Sequence, residues 1–131
     1  MTSALDRLLA QGRAAAQQLM TDRCRIERST GIGTTDDGRD IEQVTTVYEG
    51  RCRIRPAALA ATTDKTGSVI VETWAYTVSV PLPVADVRTG YAVQILASDD
   101  PGLVGRRLRV RSIDRGTQIT ARRLACEEVA R

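Results

Sequence analysis

Residues 51–56 read Arg51-Cys52-Arg53-Ile54-Arg55-Pro56. Apolar and charged side chains alternate one for one, so an extended chain puts Cys52 and Ile54 on one face and the arginines on the other. Pro56 has no amide hydrogen to give a sheet and stops the strand. The same alternation runs upstream through Arg23-Cys24-Arg25-Ile26-Glu27. Between the two, Ile41, Val44, Val47 and Tyr48 fall in a β-branched run. This is the pattern of antiparallel strands with one face in a core and the other in water.

Downstream the pattern continues. Residues 69–80 place Ile70, Trp74, Tyr76, Val78 and Val80 largely on one parity, which predicts one long strand ending at Pro81-Leu82-Pro83. Shorter strands are expected at Tyr91–Leu96, Leu108–Ile113 and Arg122–Val129. Gly90, Asp99-Asp100-Pro101-Gly102, Gly105 and Gly116 separate them. About six strands at short spacing predict a mainly β protein, an antiparallel barrel or sandwich, with the barrel preferred. Residues 57–67, AALAATTDKTG, are small and polar with no useful period, and read as a long mobile loop.

Only the N-terminus departs from period two. Ser3 and Asp6 form a capping signal, and Leu5, Leu8, Leu9, Gly12, Ala15, Ala16 and Leu19 then recur at helical spacing, predicting a helix over residues 4–20. Its narrow face suits a flat neighbour, either the protein's own sheet or another subunit; packing on its own core is the preferred reading. The chain is thus expected to be one domain over 1–131, with a helix in 1–20 and a barrel in 21–131.

Composition narrows the chemistry. The 131 residues include 19 Lys plus Arg, 16 Asp plus Glu and no His. Without histidine, Ser-His-Asp and Cys-His catalysis, His-ligated zinc and a histidine switch are all excluded. The basic residues are 18 Arg and one Lys, and Asn and Phe are absent, which looks like the coding bias of a GC-rich genome. Charge is unevenly placed: residues 57–100 carry −3 and residues 101–131 carry +5. No run approaches the roughly 20 apolar residues of a membrane span. Asp6 and Arg7 interrupt any signal-peptide order, so synthesis in the cytoplasm is expected.

Motifs of known chemistry fall short. Gly31-Ile32-Gly33 lacks the third glycine and the following helix of a phosphate-binding turn, and reads as a plain loop. Asp36, Asp37, Gly38 and Asp40 lack the alternating spacing and distal Glu of a calcium loop, so Asp37-Gly38 reads as a tight hairpin turn. Cys24, Cys52 and Cys126 are too far apart for a C-x-x-C pair and read as buried core thiols. Asp99-Asp100 and Glu127-Glu128 are adjacent carboxylates, which on a strand face opposite sides. No catalytic residue, metal site or cofactor is expected, and the chain reads as a non-enzyme. Two arginine rows remain, Arg51, Arg53, Arg55 and Arg107, Arg109, Arg111. They fit the solvated face of half-buried strands, salt bridges across a subunit interface, or phosphate contacts as on an OB-type barrel.

The order of segments resembles the head-to-tail joining, or head-closure (stopper), proteins of long-tailed phages. The resemblance runs through Arg25-Ile26-Glu27-Arg28, the loop with Asp37-Gly38 and the strand to Tyr48. It continues in Gly50-Arg51-Cys52-Arg53-Ile54-Arg55-Pro56, in Trp74 to Val80 and in Val87-Arg88-Thr89-Gly90-Tyr91-Ala92-Val93. It ends in Gly105 to Asp114 and Arg123-Leu124-Ala125-Cys126-Glu127-Glu128. The span is roughly 23–129; the N-terminal helix is extra relative to the shortest members, and the outgoing strand lacks the His or Arg often seen there.

The resemblance implies a virion protein at the head–tail junction, in a cyclic ring commonly twelvefold or sixfold in relatives. Such a ring closes the portal channel over packaged double-stranded DNA and offers the tail its docking platform. Its expected partners are further copies of itself, the portal adaptor protein and the tail terminator or tail-tube protein, with no membrane. Residues 57–68 correspond to the loop that relatives project as a gate. They include Leu59, Ala60, Ala61, Thr62, Thr63, Asp64, Lys65, Thr66 and Gly67. The alternatives are a tail terminator or other connector ring and, in a different class, an OB-like barrel binding single-stranded nucleic acid.

Overall fold

Wherever the sequence alternates apolar and polar residues, the chain is strand. The computed structural model describes residues 3–57, 60–63, 69–73, 75–84 and 86–128, the stretches 60–63 and 69–73 by their backbone alone. One helix, α1 (Ala4–Gln18), precedes eight strands: β1 (Asp22–Thr34), β2 (Asp40–Pro56), β3 (Ala60–Thr63), β4 (Val69–Thr73), β5 (Ala75–Val80), β6 (Ala92–Ala97), β7 (Arg107–Ile113) and β8 (Arg122–Glu128). Six of them close into an antiparallel barrel in the order β1-β2-β5-β8-β7-β6, while β3 and β4 pair as a separate two-stranded sheet. The mainly β fold with an N-terminal helix is the one the sequence predicts.

The two Arg-Cys-Arg-Ile stretches lie on neighbouring strands, with Cys24 opposite Gly50 and Arg23 opposite Arg51. Their apolar members enter the barrel. Cys24, Ile26, Cys52, Val78, Leu108, Val110, Leu124 and Cys126 form most of its core, and Val87 enters from the β5–β6 connection. At roughly 25 cal/mol per Å² of apolar surface removed from water, each fully buried Ile or Leu contributes about 1.5–3 kcal/mol before entropy is counted. All three cysteines are free and buried, as read from the sequence. Burial holds the Cys126 thiol protonated, its pKa pushed up to about 12. Cys52 is raised further, by its hydrogen bond with Cys24 and by burial.

Four expectations need correction. Gly31-Ile32-Gly33 is strand, because β1 continues to Thr34 and pairs with β2 as far as Asp40. The turn that follows is where Asp37-Gly38 was expected: the Gly38 amide donates to Thr35 O at 2.9 Å and Gly38 has φ of 84°, a conformation glycine adopts without a Cβ clash. Residues 57–67 are not loop throughout, since Ala60–Thr63 pairs with Val69–Thr73. Strand 69–80 is two elements, β4 in the small sheet and β5 in the barrel, on either side of residue 74, which lies outside the described residues.

The fourth correction concerns α1. Its start is the predicted capping box, with Ser3 Oγ accepting from the Asp6 amide at 3.0 Å and Asp6 Oδ2 accepting from the Ser3 amide at 3.4 Å. Yet no residue of the helix is buried, and Leu5 and Leu8 are exposed. The physical reason is closure: a ring of six strands fills itself and leaves no open core face for a helix to cover. The helix instead touches the connection before β8. A Cβ at Gly12 would lie 2.9 Å from Thr120 Cγ2, and Arg13 Nε donates to Ile119 O at 3.4 Å.

Candidate interaction surfaces

Register decides what each arginine row meets. Along β7, Arg107 lies 4.0 Å from Glu42, and Arg111 donates to Glu127 at 3.1 Å. That row is partly neutralised by carboxylates on other strands. Along β2 the opposite holds. Arg51 faces Arg23 directly, a like-charge cross-strand pair, and Arg53 faces Ser79, which in turn faces Arg123 on β8. Among the described residues, none of Arg23, Arg51, Arg53, Arg55 and Arg123 takes part in an ion pair. Two rows that look alike in sequence therefore present different surfaces.

The adjacent carboxylates diverge as their parity requires. Glu127 meets Arg111, while Glu128 accepts two bonds from Arg106 Nη1, at 2.8 and 2.7 Å. Arg106 also donates through Nε to Gly102 O at 2.8 Å, and so ties the β6–β7 turn to the end of β8. Both glutamates are engaged as ion-pair partners. Among the described residues no group of three or more His, Cys, Asp or Glu is placed to hold a metal ion.

Three features stand outside the barrel. The first is the distal half of the β1–β2 hairpin, here called the arm. Beyond the bulge where Ile26 faces Tyr48 and Glu27 faces Thr46, the strands stay paired to Thr34 and Asp40. The arm exposes Ile32 (77%), Ile41 (49%) and Val44 (42%). The second is the β3–β4 hairpin, hung between β2 and β5, its base held by the Ala57 amide donating to Ala75 O at 3.0 Å. Of the sequence-derived gate, Ala60, Ala61, Thr62 and Thr63 form β3, while Leu59, Asp64, Lys65, Thr66 and Gly67 lie outside the described residues.

The third is a groove of about 350 Å³ between α1 and the outer wall of the barrel. Gly12, Ala15, Ala16, Leu19 and Met20 form one side; Arg53, Arg55, Ser79 and Arg123 form the other. Ser79 points outward from β5 yet is only 5% exposed, set between Arg53 and Arg123 in the lining of the groove. The sequence shows the arginines of this groove but not their convergence, which depends on the order β2-β5-β8.

A second cleft, of about 500 Å³, lies at the base of the arm between Arg28, Thr45, Val47, Asp86, Arg88 and Tyr91. It mixes charges of both signs.

Fold and surface together define a small closed β-barrel protein whose appendages, not its interior, are available for interaction. The model of a family of unknown function, DUF6093, matches residues 12–127, and the chain belongs to that family. The matched span opens at Gly12, where the helix meets Thr120, and closes within β8. No curated protein matches the chain.

Proposed function

We propose that this chain is a structural subunit of the phage neck, a stopper ring that closes the portal channel after DNA packaging and offers the tail its docking platform. The observation that carries the reading is the contrast between a barrel with a closed apolar core and an arm that leaves Ile32, Ile41 and Val44 exposed. Isolated apolar side chains on a surface are ordinary, but several along one protruding hairpin suit a protein–protein contact. An arm and a groove at different places on one chain make a heterologous contact, the kind that closes into rings.

In this reading the β3–β4 hairpin is the gate. It leaves the barrel between two neighbouring strands, so it can change position without breaking the barrel ladder. The barrels form the ring wall, and the acidic middle and basic C-terminal segments steer neighbouring copies together. The test is deletion of residues 60–72 with a short Gly-Ser bridge. The barrel should still fold, and filled heads should lose DNA. Normal DNA retention with a folded variant would remove the gating role.

A second reading has one observation behind it. The strip of Arg23, Arg51, Arg53, Arg55 and Arg123, without an ion pair among the described residues, is suited to a phosphate backbone, as on a single-strand-binding barrel. Such barrels also present aromatic platforms for the bases. Among the residues whose side chains are described the aromatics are Tyr48, Tyr76 and Tyr91, and Tyr76 is buried. The stopper reading is therefore preferred.

A further inference from the structure

We propose that the tip of the arm docks in the groove beneath α1 of a second copy of this chain. The inference rests on the ring-subunit reading and deepens it by naming the contact. The groove has apolar residues on its helical side and Arg53, Arg55 and Arg123 on its barrel side, with no acidic residue among the described residues that line it. The arm tip is its chemical complement. It exposes Ile32 and Ile41 beside Asp36 and Asp40, neither of which takes part in an ion pair among the described residues. Asp37, between them, is already engaged by the Thr35 hydroxyl and Arg39.

Geometry excludes self-insertion. Arm and groove are both carried by β2, a single 17-residue strand, with Ile41 near one end and Arg53 near the other. At roughly 3.3 Å per residue, twelve residues of strand separate them by up to about 40 Å along β2, and the arm's Glu42 lies 4.0 Å from Arg107 on β7, away from the strands that line the groove. A continuous paired strand does not fold back on itself, so an arm reaches only another copy's groove. Each copy then gives one arm and receives one. The contact is head-to-tail, and repeats until the ring closes. Ile32, which shares one face of the arm with Asp40 and Val44, supplies the apolar anchor, and the Asp–Arg pairing sets register and excludes the reverse orientation.

The test uses full-length chains with reversed charges. Arg53→Glu/Arg55→Glu removes a competent groove, and Asp36→Arg/Asp40→Arg removes a competent arm. Each variant alone should self-associate roughly tenfold or more weakly than the wild type, with unchanged thermal unfolding. Mixed, they should recover assembly with the two variants alternating, because the Asp arm of one meets the Arg groove of the other and the reversed Arg arm meets the reversed Glu groove. Separate chains carrying Asp36→Cys and Leu19→Cys should form a mixed disulfide in preference to either homodimer.

Wild-type assembly by both charge variants, or no preferred mixed disulfide at high protein concentration, overturns the proposal. So does loss of binding to single-stranded DNA in Arg53→Glu/Arg55→Glu with self-association unchanged, which would make the groove a polyanion site. Rings seen in the neck without arm–groove cross-links would sink this contact and leave the stopper reading standing. Arm–groove dimers in a protein missing from the neck would do the reverse.

Discussion

The two halves of the β1–β2 hairpin share strands, hydrogen-bond ladder and residue types, yet live in different solvents. In the proximal half, Cys24, Ile26 and Cys52 are fully buried; in the distal half, Ile32, Ile41 and Val44 stand in water. The boundary is the bulge at Ile26 and Glu27, past which β6 no longer covers β1 beyond Ala92. A β-branched residue therefore reports a strand, not a core. What it packs against depends on whether a third strand or another molecule arrives.

The sharpest break in this comparison comes from truncating one residue in each half. Ile26→Ala should cost about 2–5 kcal/mol in urea denaturation, since the closed barrel leaves a cavity in place of the lost side chain. Ile32→Ala and Ile41→Ala should stay within about 0.5 kcal/mol in the isolated chain. Equal losses in the two halves would mean that the arm packs on its own barrel.

A second effect, spread over several pH units, reads the barrel core that the proximal half shares with β8. Cys126 is held protonated in the barrel up to about 12, against 9.0 for an ordinary thiol. A raised thiol pKa adds stability that is fully present below pH 9 and is lost as pH climbs through the folded value. Between pH 9 and pH 12 the chain should lose about 1.4 kcal/mol per pH unit from this group, and Cys126→Ala should flatten that slope. Cys52, raised in the same direction, adds to it. A wild-type stability that does not change from pH 8 to pH 11 would contradict the burial of these thiols.

The smallest expected effects are at ion pairs. A double-mutant cycle on Arg106 and Glu128, whose side chains are 38% and 29% exposed, should give about 1 kcal/mol of coupling. The Arg25–Glu49 pair, more exposed and met through one bond at 2.7 Å, should give less coupling, and lose it in high salt. The reverse order would show that the β6–β7 turn does not depend on Arg106.

These comparisons also mark what a sequence carries. Strands β1, β2, β7 and β8 are legible in their alternation because a closed barrel imposes a wet face and a dry face on each. The β3 segment, Ala60-Ala61-Thr62-Thr63, shows no alternation, since a two-stranded sheet apart from the barrel need not have a dry face. The α1 stripe of Leu5, Leu8 and Leu19 is legible as a helix, but amphipathicity names no partner. The arginine rows are legible at period two. Their different fates rest on cross-strand neighbours such as Glu127 and Arg23, which strand order supplies and local sequence does not.

The central claim is that the appendages exist for a ring at the head–tail junction. Its most direct measurement is a cryo-electron microscopy reconstruction of phage particles bearing this chain, centred on the portal vertex without imposed capsid symmetry. The account predicts a single ring of six-stranded barrels between portal and tail, with each arm reaching an adjacent copy. Copies dispersed through the capsid lattice, or particles without the chain, would contradict it.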